Sequence, residues 1–414
     1  MSTLSRSGSI TSLTTKLNKK IISSKNNNAA IVLLHNMLRL DDNPMIHTAL
    51  QKHTRVYILY ILDTNYYGRK NKNQPINELG FILDTIAEMD MHLRIHHNSK
   101  IFFYYNSADD NQIITPLNEI IELDKNITTI YTDVNNTLVN IKAMFRINKY
   151  IKRTKVLYGT IIKLIKYDSS HALTKTWKKN DIKPYKQSLR IAKSSSEFIS
   201  AAKNLIDTKS YIFDDKNQKL ASFTLSTKNE MDIISTIKVY RKKHKRTILI
   251  SGRQYALSLL AQDEPVWAIY SHLHFGTISA REFISSPAYS ADDYLAWVYT
   301  QKKYQAKRFD SHRNTIRGAI DQAEIYKRLD NLNTGYPYAD LLMKKLKYEG
   351  VLTSTEFVNF VIIVVRNFKM SWINVELLLQ NYLIGYNPSF ITNEIHEILR
   401  SRHYPLDIIK VSDH

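Results

Sequence analysis

The sequence predicts a doubly wound parallel α/β domain, then a long connector, then an all-α domain. In the first part, short apolar or β-branched runs alternate with a helical repeat. Beyond about residue 229, strand patterns fade and apolar residues recur at helical spacing. We therefore divide the chain into a basic arm (1–28), an α/β domain (29–160), a connector (161–230) and a helical domain (231–414).

Four runs in the first part have the composition of buried parallel strands: Ala30–Leu34, Val56–Leu62, Lys100–Tyr105 and Thr128–Thr132. Between the second and third runs, apolar residues at helical spacing predict a helix over Leu79–Leu93. No glycine-rich loop follows the first run, so a Rossmann dinucleotide site is not supported.

The connector is polar and of mixed composition. After it, helical spacing recurs in Ala256–Leu260, Tyr294–Tyr304, Ala339–Leu346 and Phe357–Val365. These runs predict that the last part of the chain is all helical. Residues 1–28 are rich in Ser, Thr, Lys and Asn without an acid, which is typical of a disordered basic arm. Ordering such an arm costs about 1 kcal/mol per residue, so a neighbouring molecule would have to hold it.

The charge balance favours acidic partners. The chain has 58 Lys and Arg against 38 Asp and Glu, a net charge of +20. High Ile, Asn, Lys and Tyr content is also what an A/T-rich genome encodes, which accounts for part of this excess. The 26 tyrosines are of the kind that supply rigid contacts at protein interfaces.

Several functional classes are disfavoured. There is no cysteine, which excludes disulfides, thiolate metal sites and cysteine catalysis. His96-His97 and His272-x-His274 have no partner cluster at ligand spacing, so we predict no metal site. No apolar run approaches the roughly 18 residues of a membrane span, and residues 1–28 lack a signal-peptide core. We therefore expect an intracellular, non-secreted protein without a membrane partner.

Five segments, in order, resemble the DNA photolyase and cryptochrome family. Ile31–Pro44 resembles its opening strand and Asp-Leu-Arg-Leu-x-Asp-Asn-Pro turn, and Val56–Asp63 with Phe81–Leu93 the next strand and helix. Ser251-Gly252-Arg253 resembles the helix start before the flavin site, and His272–Arg281 the Leu-His-Phe-Gly-x-Ile-Ser-x-Arg segment. Asn333–Gly350 resembles the Thr-Gly-Tyr-Pro helix start. The resemblance implies an antenna-like α/β domain and a flavin-domain-like helical domain.

The positions that hold flavin in that family differ here. The family's Thr-Ser-x-Leu-Ser, which grips the flavin diphosphate, corresponds to Val266–Tyr270, with Trp267 bulky enough to fill the space. Trp-Arg-Glu corresponds to Trp297-Val298-Tyr299, and Asn-Arg-x-Arg to Ser354-Thr355-Glu356-Phe357. Asp-Gly-Asp corresponds to Ile384-Gly385-Tyr386. The degenerate positions are Val266, Trp267, Tyr270, Val298, Tyr299, Ser354, Thr355, Phe357, Ile384 and Tyr386.

The losses are large in free energy. A hydrogen bond to a charged group contributes roughly 1.5–3 kcal/mol, so losing four or five removes about 6–15 kcal/mol. That is a factor of at least about ten thousand in affinity. Because the family's photochemistry belongs to its flavin, we predict no cofactor, no catalytic residue and no enzymatic activity. The alternative is a flavin-dependent photolyase or cryptochrome.

The first functional hypothesis is a self-assembling structural protein of the viral occlusion-body or matrix type, in the nucleus or cytoplasm of a host cell. The degenerate flavin positions, the basic arm, the tyrosine excess and the A/T-biased composition motivate it. An arm exchanged between copies could join them. Candidate contacts are Arg6, Lys16, Lys19, Lys20, Lys25, Tyr66 and Tyr67. Phe102–Tyr105 could also contribute, although a buried strand explains that run as well.

The second hypothesis is nucleic-acid binding without catalysis. Arg241, Lys242, Lys243, Lys245 and Arg246 form a compact basic run beside the predicted helical domain. Such a run is also typical of a solvated loop or a localisation signal. Contact with phosphates would make the binding fall steeply as salt rises.

Overall fold

Five parallel strands form a sheet in the order β3-β2-β1-β4-β5. They are β1 (Ala29–Leu34), β2 (Arg55–Leu62), β3 (Ile101–Tyr105), β4 (Ile127–Val134) and β5 (Lys163–Asp168). The structure is a computed structural model, and it describes residues 28–62, 76–105, 114–134, 144–153, 161–168, 211–213, 219–244, 251–263, 266, 268–290, 293–294, 297, 320–385 and 388–400.

Both faces of this sheet are covered, which explains why its strands are continuous apolar runs. In β1, Ala30, Val32 and Leu34 pack into one apolar cluster. The alternate residues Ala29, Ile31 and Leu33 pack into a second cluster on the opposite face. Successive strand side chains point to opposite faces, so every position of β1 is buried. The predicted doubly wound parallel α/β architecture is confirmed.

Helices flank the sheet and make up the described part of the second half. They are α1 (Pro44–Lys52), α2 (Ile76–His97), α3 (Ile114–Leu123), α4 (144–153), α5 (Ile233–His244), α6 (Arg253–Leu260), α7 (Ile269–Phe275), α8 (Ala280–Ile284), α9 (Ile320–Asp330), α10 (Pro337–Glu349), α11 (Ser354–Ile362), α12 (Trp372–Tyr382) and α13 (Pro388–Arg400). One π-helical turn, Ile363–Asn367, continues α11. The predicted helical second part is confirmed.

The fifth strand lies inside the segment predicted as a connector. β5 pairs in parallel with β4, from Thr129 with Lys163 to Val134 with Asp168. Most of its described side chains are only half-buried, unlike those of β3 at the opposite edge of the sheet. Its alternating Lys-Leu-Ile-Lys composition therefore lacks the apolar continuity of the four strands that the sequence predicted.

The α/β part and the helical part meet across a buried arginine. Arg39 is 2% exposed, and its Nη1 donates to the Gly276 carbonyl at 2.7 Å. Its Nη2 donates to the Asp42 carbonyl at 3.0 Å. Gly276 ends α7 with φ +64°, and a Cβ there would lie 2.0 Å from the Asn36 carbonyl oxygen. Glycine is needed at this position because two backbones approach each other there.

Candidate functional site

The positions that match the family's flavin motifs lie around α7 and the turn that follows α12. The first of them, Val266, is tied to a tyrosine. The Val266 N–H donates to the Tyr289 hydroxyl at 2.7 Å, and that hydroxyl donates to the Val266 carbonyl at 3.1 Å. One phenol therefore satisfies both backbone groups of the residue where the family has a diphosphate-gripping threonine.

The turn after α12 packs directly on α7. The Ser271 hydroxyl donates to the Ile384 carbonyl at 2.7 Å. Gly385 has φ +67°, and a Cβ there would lie 2.8 Å from the Ser271 Cα. The backbone of the turn and the backbone of the helix are therefore in contact, and Ile384 is 1% exposed.

The start of α11 has its own internal arrangement. Thr353 caps the helix, and the Glu356 carboxylate accepts from the Thr353 N–H at 2.7 Å. The Lys345 ammonium donates to both Glu356 oxygens at 2.8 Å. Burial opposes the shift, but the hydrogen bonds from Lys345 and from the Thr353 backbone hold the Glu356 pKa below its ordinary value. Phe357 is buried, while Ser354 and Thr355 are exposed at the helix start.

Around Tyr270 the environment is apolar and acidic. Its ring lies 6.1 Å from that of Phe283, and burial, followed by the charge of Asp293, raises the Tyr270 pKa. Glu394 on α13 also raises it. Burial, and next the Glu397 carboxylate, raise the pKa of Glu394 itself to about 7. A phenol and a carboxyl whose pKa values are both raised, neither of them cationic, are poor partners for a charged diphosphate.

Arg253, at the start of α6, takes part in a structural network. It donates to the Glu282 carboxylate at 2.5 Å and to the Thr277 carbonyl at 3.0 Å. Its Nε also lies 3.6 Å from a carboxylate oxygen of Asp41 in the α/β part. This arginine holds the Leu-His-Phe-Gly segment to the opening turn of the α/β part.

The Thr-Gly-Tyr-Pro segment has the local structure that the sequence predicted. Pro337 begins α10, and Gly335 has φ +74° in the preceding turn. The Asp340 carboxylate, in the first helical turn, accepts from the Thr334 hydroxyl at 2.8 Å and from its N–H. This part of the resemblance therefore concerns the fold.

Several predicted residues lie outside the described part of the chain. They are Trp267, Val298, Tyr299 and Tyr386 among the flavin positions, and Arg6, Lys16, Lys19, Lys20, Lys25, Tyr66, Tyr67, Lys245 and Arg246 among the candidate contacts. The predicted exchange of residues 1–28 concerns a segment of which only Asn28 is described.

The described remainder of the basic run lies on α5. The Arg241 guanidinium is 2.8 Å from the Asp84 carboxylate of α2, and Lys242 is exposed. Lys243 belongs to the same helix. Phe102, Phe103 and Tyr104 are buried in β3, which supports the buried-strand explanation of this run.

A cleft of about 240 Å³ lies between α1 and residues 211–213 and 219, and none of the flavin-motif positions lines it. Its lining residues are Leu40, Asn43, His47, Leu50, Gln51, Tyr211, Ile212, Phe213 and Lys219. Within the described ranges, no three His, Asp or Glu side chains are arranged to hold a metal ion. In those same ranges no helix combines the length and apolarity needed to cross a membrane.

Sequence reasoning missed Tyr289 and Glu394. Tyr289 acts on Val266 from 23 residues away, and no local pattern indicates such a contact. Glu394 lies in an amphipathic helix, where a carboxylate is ordinarily assumed to be solvated. The sequence indicated its partial burial only through spacing, because Glu394 lies at helical spacing from the buried residues Ile391 and Ile398.

Comparison with known proteins supports the resemblance. The DNA photolyase family model matches residues 30–142. The comparison with curated protein sequences gave no match. Among solved structures, the chain resembles an archaeal photolyase from Sulfolobus tokodaii, whose structure contains two FAD molecules, with TM-score 0.62 and 17% identity over 89% of this chain and 82% of that one.

Two further structures show the same similarity. A bacterial class III photolyase from Agrobacterium tumefaciens gives TM-score 0.57 and 14% identity over 90% of this chain and 80% of that chain. A cryptochrome from Synechocystis gives TM-score 0.59 and 15% identity over 92% of this chain and 84% of the other. The predicted resemblance to this family and its fold are confirmed.

Proposed function

We propose that this chain, which has the photolyase and cryptochrome fold, is a non-enzymatic protein that does not bind flavin and serves as a self-assembling structural scaffold. The contact between Ser271 and the Ile384–Gly385 turn carries the first half of the proposal. It joins the residue that directly follows the Val266–Tyr270 motif to the Ile384–Gly385 motif, backbone against backbone. A cofactor placed between them would have to separate α7 from this turn.

The groups that could bind a cofactor at these positions already have partners within the protein. The Val266 N–H bonds to Tyr289, and Glu356 is held by Lys345 and by the cap of α11. Ile384 and Phe357 present apolar side chains where the family has charged ones. Burying an anionic diphosphate among such groups is unfavourable because its charge would be neither paired nor hydrogen-bonded.

The scaffold role accounts for which residues fit the family and which do not. Gly276, Gly335, Pro337 and Arg39 support turns, close approaches and the contact between the two parts. At Thr355, Phe357 and Ile384, where the family's flavin motifs have charged residues, this chain has uncharged ones. Without a bound flavin there is no electron donor for light-driven repair, since the photochemistry belongs to the cofactor.

The amino-acid composition supports the second half of the proposal, that the chain assembles with copies of itself. A net charge of +20, 26 tyrosines and a basic arm suit association through aromatic contacts and arm exchange. The A/T-biased composition extends it to a lattice protein of a viral matrix or occlusion body. Assembly is independent of flavin loss, so each half has its own test.

The flavin half is tested by reconstitution. The purified chain is unfolded, refolded with excess FAD and desalted, and the retained FAD is measured by fluorescence after denaturation. The archaeal photolyase, taken through the same steps, is the positive control. We expect no stoichiometric retention here, and retention of one FAD per chain would overturn this half.

The assembly half is tested by sedimentation velocity across a range of protein concentrations. We expect species larger than a monomer whose share rises with concentration. A monomer throughout the range, with or without residues 1–28, would overturn it.

A further inference from the structure

Four large aliphatic side chains are exposed on one surface of the described structure. Met91 and Ile95 on α2 are 55% and 68% exposed. Met231, two residues before α5, is 39% exposed, and Ile234, the second residue of α5, is 44% exposed. We call these four residues the α2/α5 patch. Single exposed apolar residues are ordinary, but a group of them on adjacent helices marks an interaction site.

Ionic contacts show how the two helices run. Asp84, early in α2, pairs with Arg241, late in α5. Lys100, three residues after the end of α2, pairs with Glu230, three residues before the start of α5. The helices are therefore antiparallel, and Ile234 lies at the level of Met91.

Helical spacing aligns the patch with the ion pair between Asp84 and Arg241. On α2, Asp84, Met91 and Ile95 follow each other at seven and four residues, so they share one face of the helix. On α5, Ile234 and Arg241 are seven residues apart and share a face, while Met231 lies in the segment just before the helix. We call the line along which α2 and α5 lie side by side the seam. On α2 it extends from Asp84 to Ile95, eleven residues or about 16 Å at the rise of an α-helix. A seam of that length between two antiparallel helices accepts about three turns of a third helix.

The charges around the seam select the partner. The 12 residues of α5 include Lys238, Arg241 and Lys242 but no acid. Lys238 and Lys242 are exposed, whereas Arg241 pairs with Asp84 and Arg94 pairs with Asp90. A second copy of the chain, docked through the same patch, would place two surfaces that both carry exposed lysines against each other, which is unfavourable.

The aliphatic residues argue against a nucleic acid as the occupant. A phosphate backbone would match the cations but would leave Met91, Ile95 and Ile234 in water. We propose that the α2/α5 patch docks an acidic amphipathic helix of a partner protein. Its apolar face fills the seam, and its acidic flanks face Lys238 and Lys242. This interaction surface is separate from the flavin-motif region, and the proposal does not depend on flavin loss.

The test uses the full chain and a fluorescein-labelled, helix-forming peptide of Leu and Glu. Its leucines are placed at positions i, i+3, i+4 and i+7, and binding is measured by anisotropy. One control peptide has the same composition with the leucine spacing disrupted, and another has Lys in place of Glu. We expect the first peptide to bind, to weaken as salt rises, and to bind better than either control.

Variants locate the site. Ile234→Ser and Ile95→Ser should each weaken binding about tenfold, because each removes an apolar anchor. Val239→Ser is the matched control, since Val239 is also an exposed aliphatic residue of α5 but lies about 140° around the helix from Ile234. It should leave binding within about twofold. The double variant Lys238→Glu, Lys242→Glu should weaken binding and flatten its salt dependence.

All substituted side chains are exposed, and thermal unfolding of each variant verifies that the fold is retained. Failure of the peptide to bind the unmodified chain would overturn the proposal, as would equal losses for Val239→Ser and Ile234→Ser. So would binding of duplex DNA or of phosphatidylserine vesicles that requires Ile95 and Ile234. A dimer of the unmodified chain that Ile234→Ser abolishes would assign the patch to a second copy instead.

Discussion

The Ser271 hydroxyl donates a 2.7 Å hydrogen bond to the Ile384 carbonyl. This bond lies where the backbone of α7 contacts the backbone of the turn that follows α12. Ser271 directly follows Val266–Tyr270, the positions that correspond to one flavin motif of photolyases and cryptochromes, and Ile384 and Gly385 belong to the positions of another. The same fold thus supports a direct protein contact in this chain. Its consequences for stability, pH dependence and cofactor content can be measured.

Gly385→Ala tests the closeness of this contact. The new Cβ would lie 2.8 Å from the Ser271 Cα, at φ +67°, so steric overlap adds to backbone strain. We expect a loss of about 2–4 kcal/mol in the free energy of unfolding. Gly335→Ala is the matched control, because φ is +74° there and nothing lies within 4 Å. It should cost only about 1–2 kcal/mol. Equal costs in urea unfolding would contradict the contact.

Arg39→Met tests the junction between the two parts. The substitution keeps much of the side-chain volume but removes the donors to the carbonyls of Gly276 and Asp42. We expect about 3 kcal/mol or more of destabilisation, since buried acceptors lose charged donors. Arg328→Met removes an exposed pair with Glu324 and should change stability by about 0.5 kcal/mol or less. Similar values for the two variants would show that Arg39 does not stabilise the junction.

The pKa of Glu394 makes stability depend on pH in a defined window. Burial raises that pKa from 4.5 to about 7, so between these values the folded carboxyl keeps a proton that the unfolded chain releases. The free energy of unfolding should therefore fall as pH rises from 4.5 to 7. After allowance for partial exposure, we expect a contribution of about 1–2 kcal/mol.

Glu394→Gln should remove that contribution and raise stability above pH 7. Glu397→Gln should retain most of it, because burial is the larger cause of the shift. Chemical unfolding at a series of pH values provides the measurement. Parallel curves for Glu394→Gln and the unmodified chain would contradict the account.

Alkaline titration should separate assembly contacts from the fold. Burial raises the pKa values of Tyr57, Tyr131 and Tyr326 to about 12. Exposed tyrosines titrate near pH 10, so assemblies held by exposed Tyr and Lys should begin to dissociate there. These three tyrosines keep their protons in the folded chain, so folding stability should decline between about pH 10 and 12.

Ultraviolet difference absorbance follows tyrosinate formation, while circular dichroism and light scattering follow the fold and the assemblies. We expect dissociation to begin before the helical signal is lost. Assemblies that dissolve at neutral pH, or that are unchanged at pH 10–11, would count against tyrosine and lysine contacts.

The features predicted from the sequence are those encoded by neighbouring residues. Gly335 lies in the turn before α10 and Pro337 begins that helix, as the Thr-Gly-Tyr-Pro helix start implies. The apolar runs gave four of the strands because burial on both faces leaves a continuous pattern. β5 was missed because most of its described side chains are only half-buried and its lysines interrupt the apolar run.

The remaining features depend on residues far apart in the chain. Arg39 contacts Gly276 across 237 positions, and Ser271 contacts Ile384 across 113. The identities of Val266, Tyr270 and Ile384 predicted that the flavin chemistry is altered. They could not predict that Tyr289 and Ser271 would bond to those very segments, because such pairs depend on the packing of several helices.

The central claim is that this fold no longer holds flavin, and the absorbance spectrum of the purified chain tests it most directly. The near-ultraviolet and visible spectrum is recorded before and after denaturation, which would release any bound cofactor. We predict protein absorbance alone in both spectra. A flavin spectrum in the denatured sample, at a stoichiometry near one per chain, would contradict the account and favour a photolyase or cryptochrome.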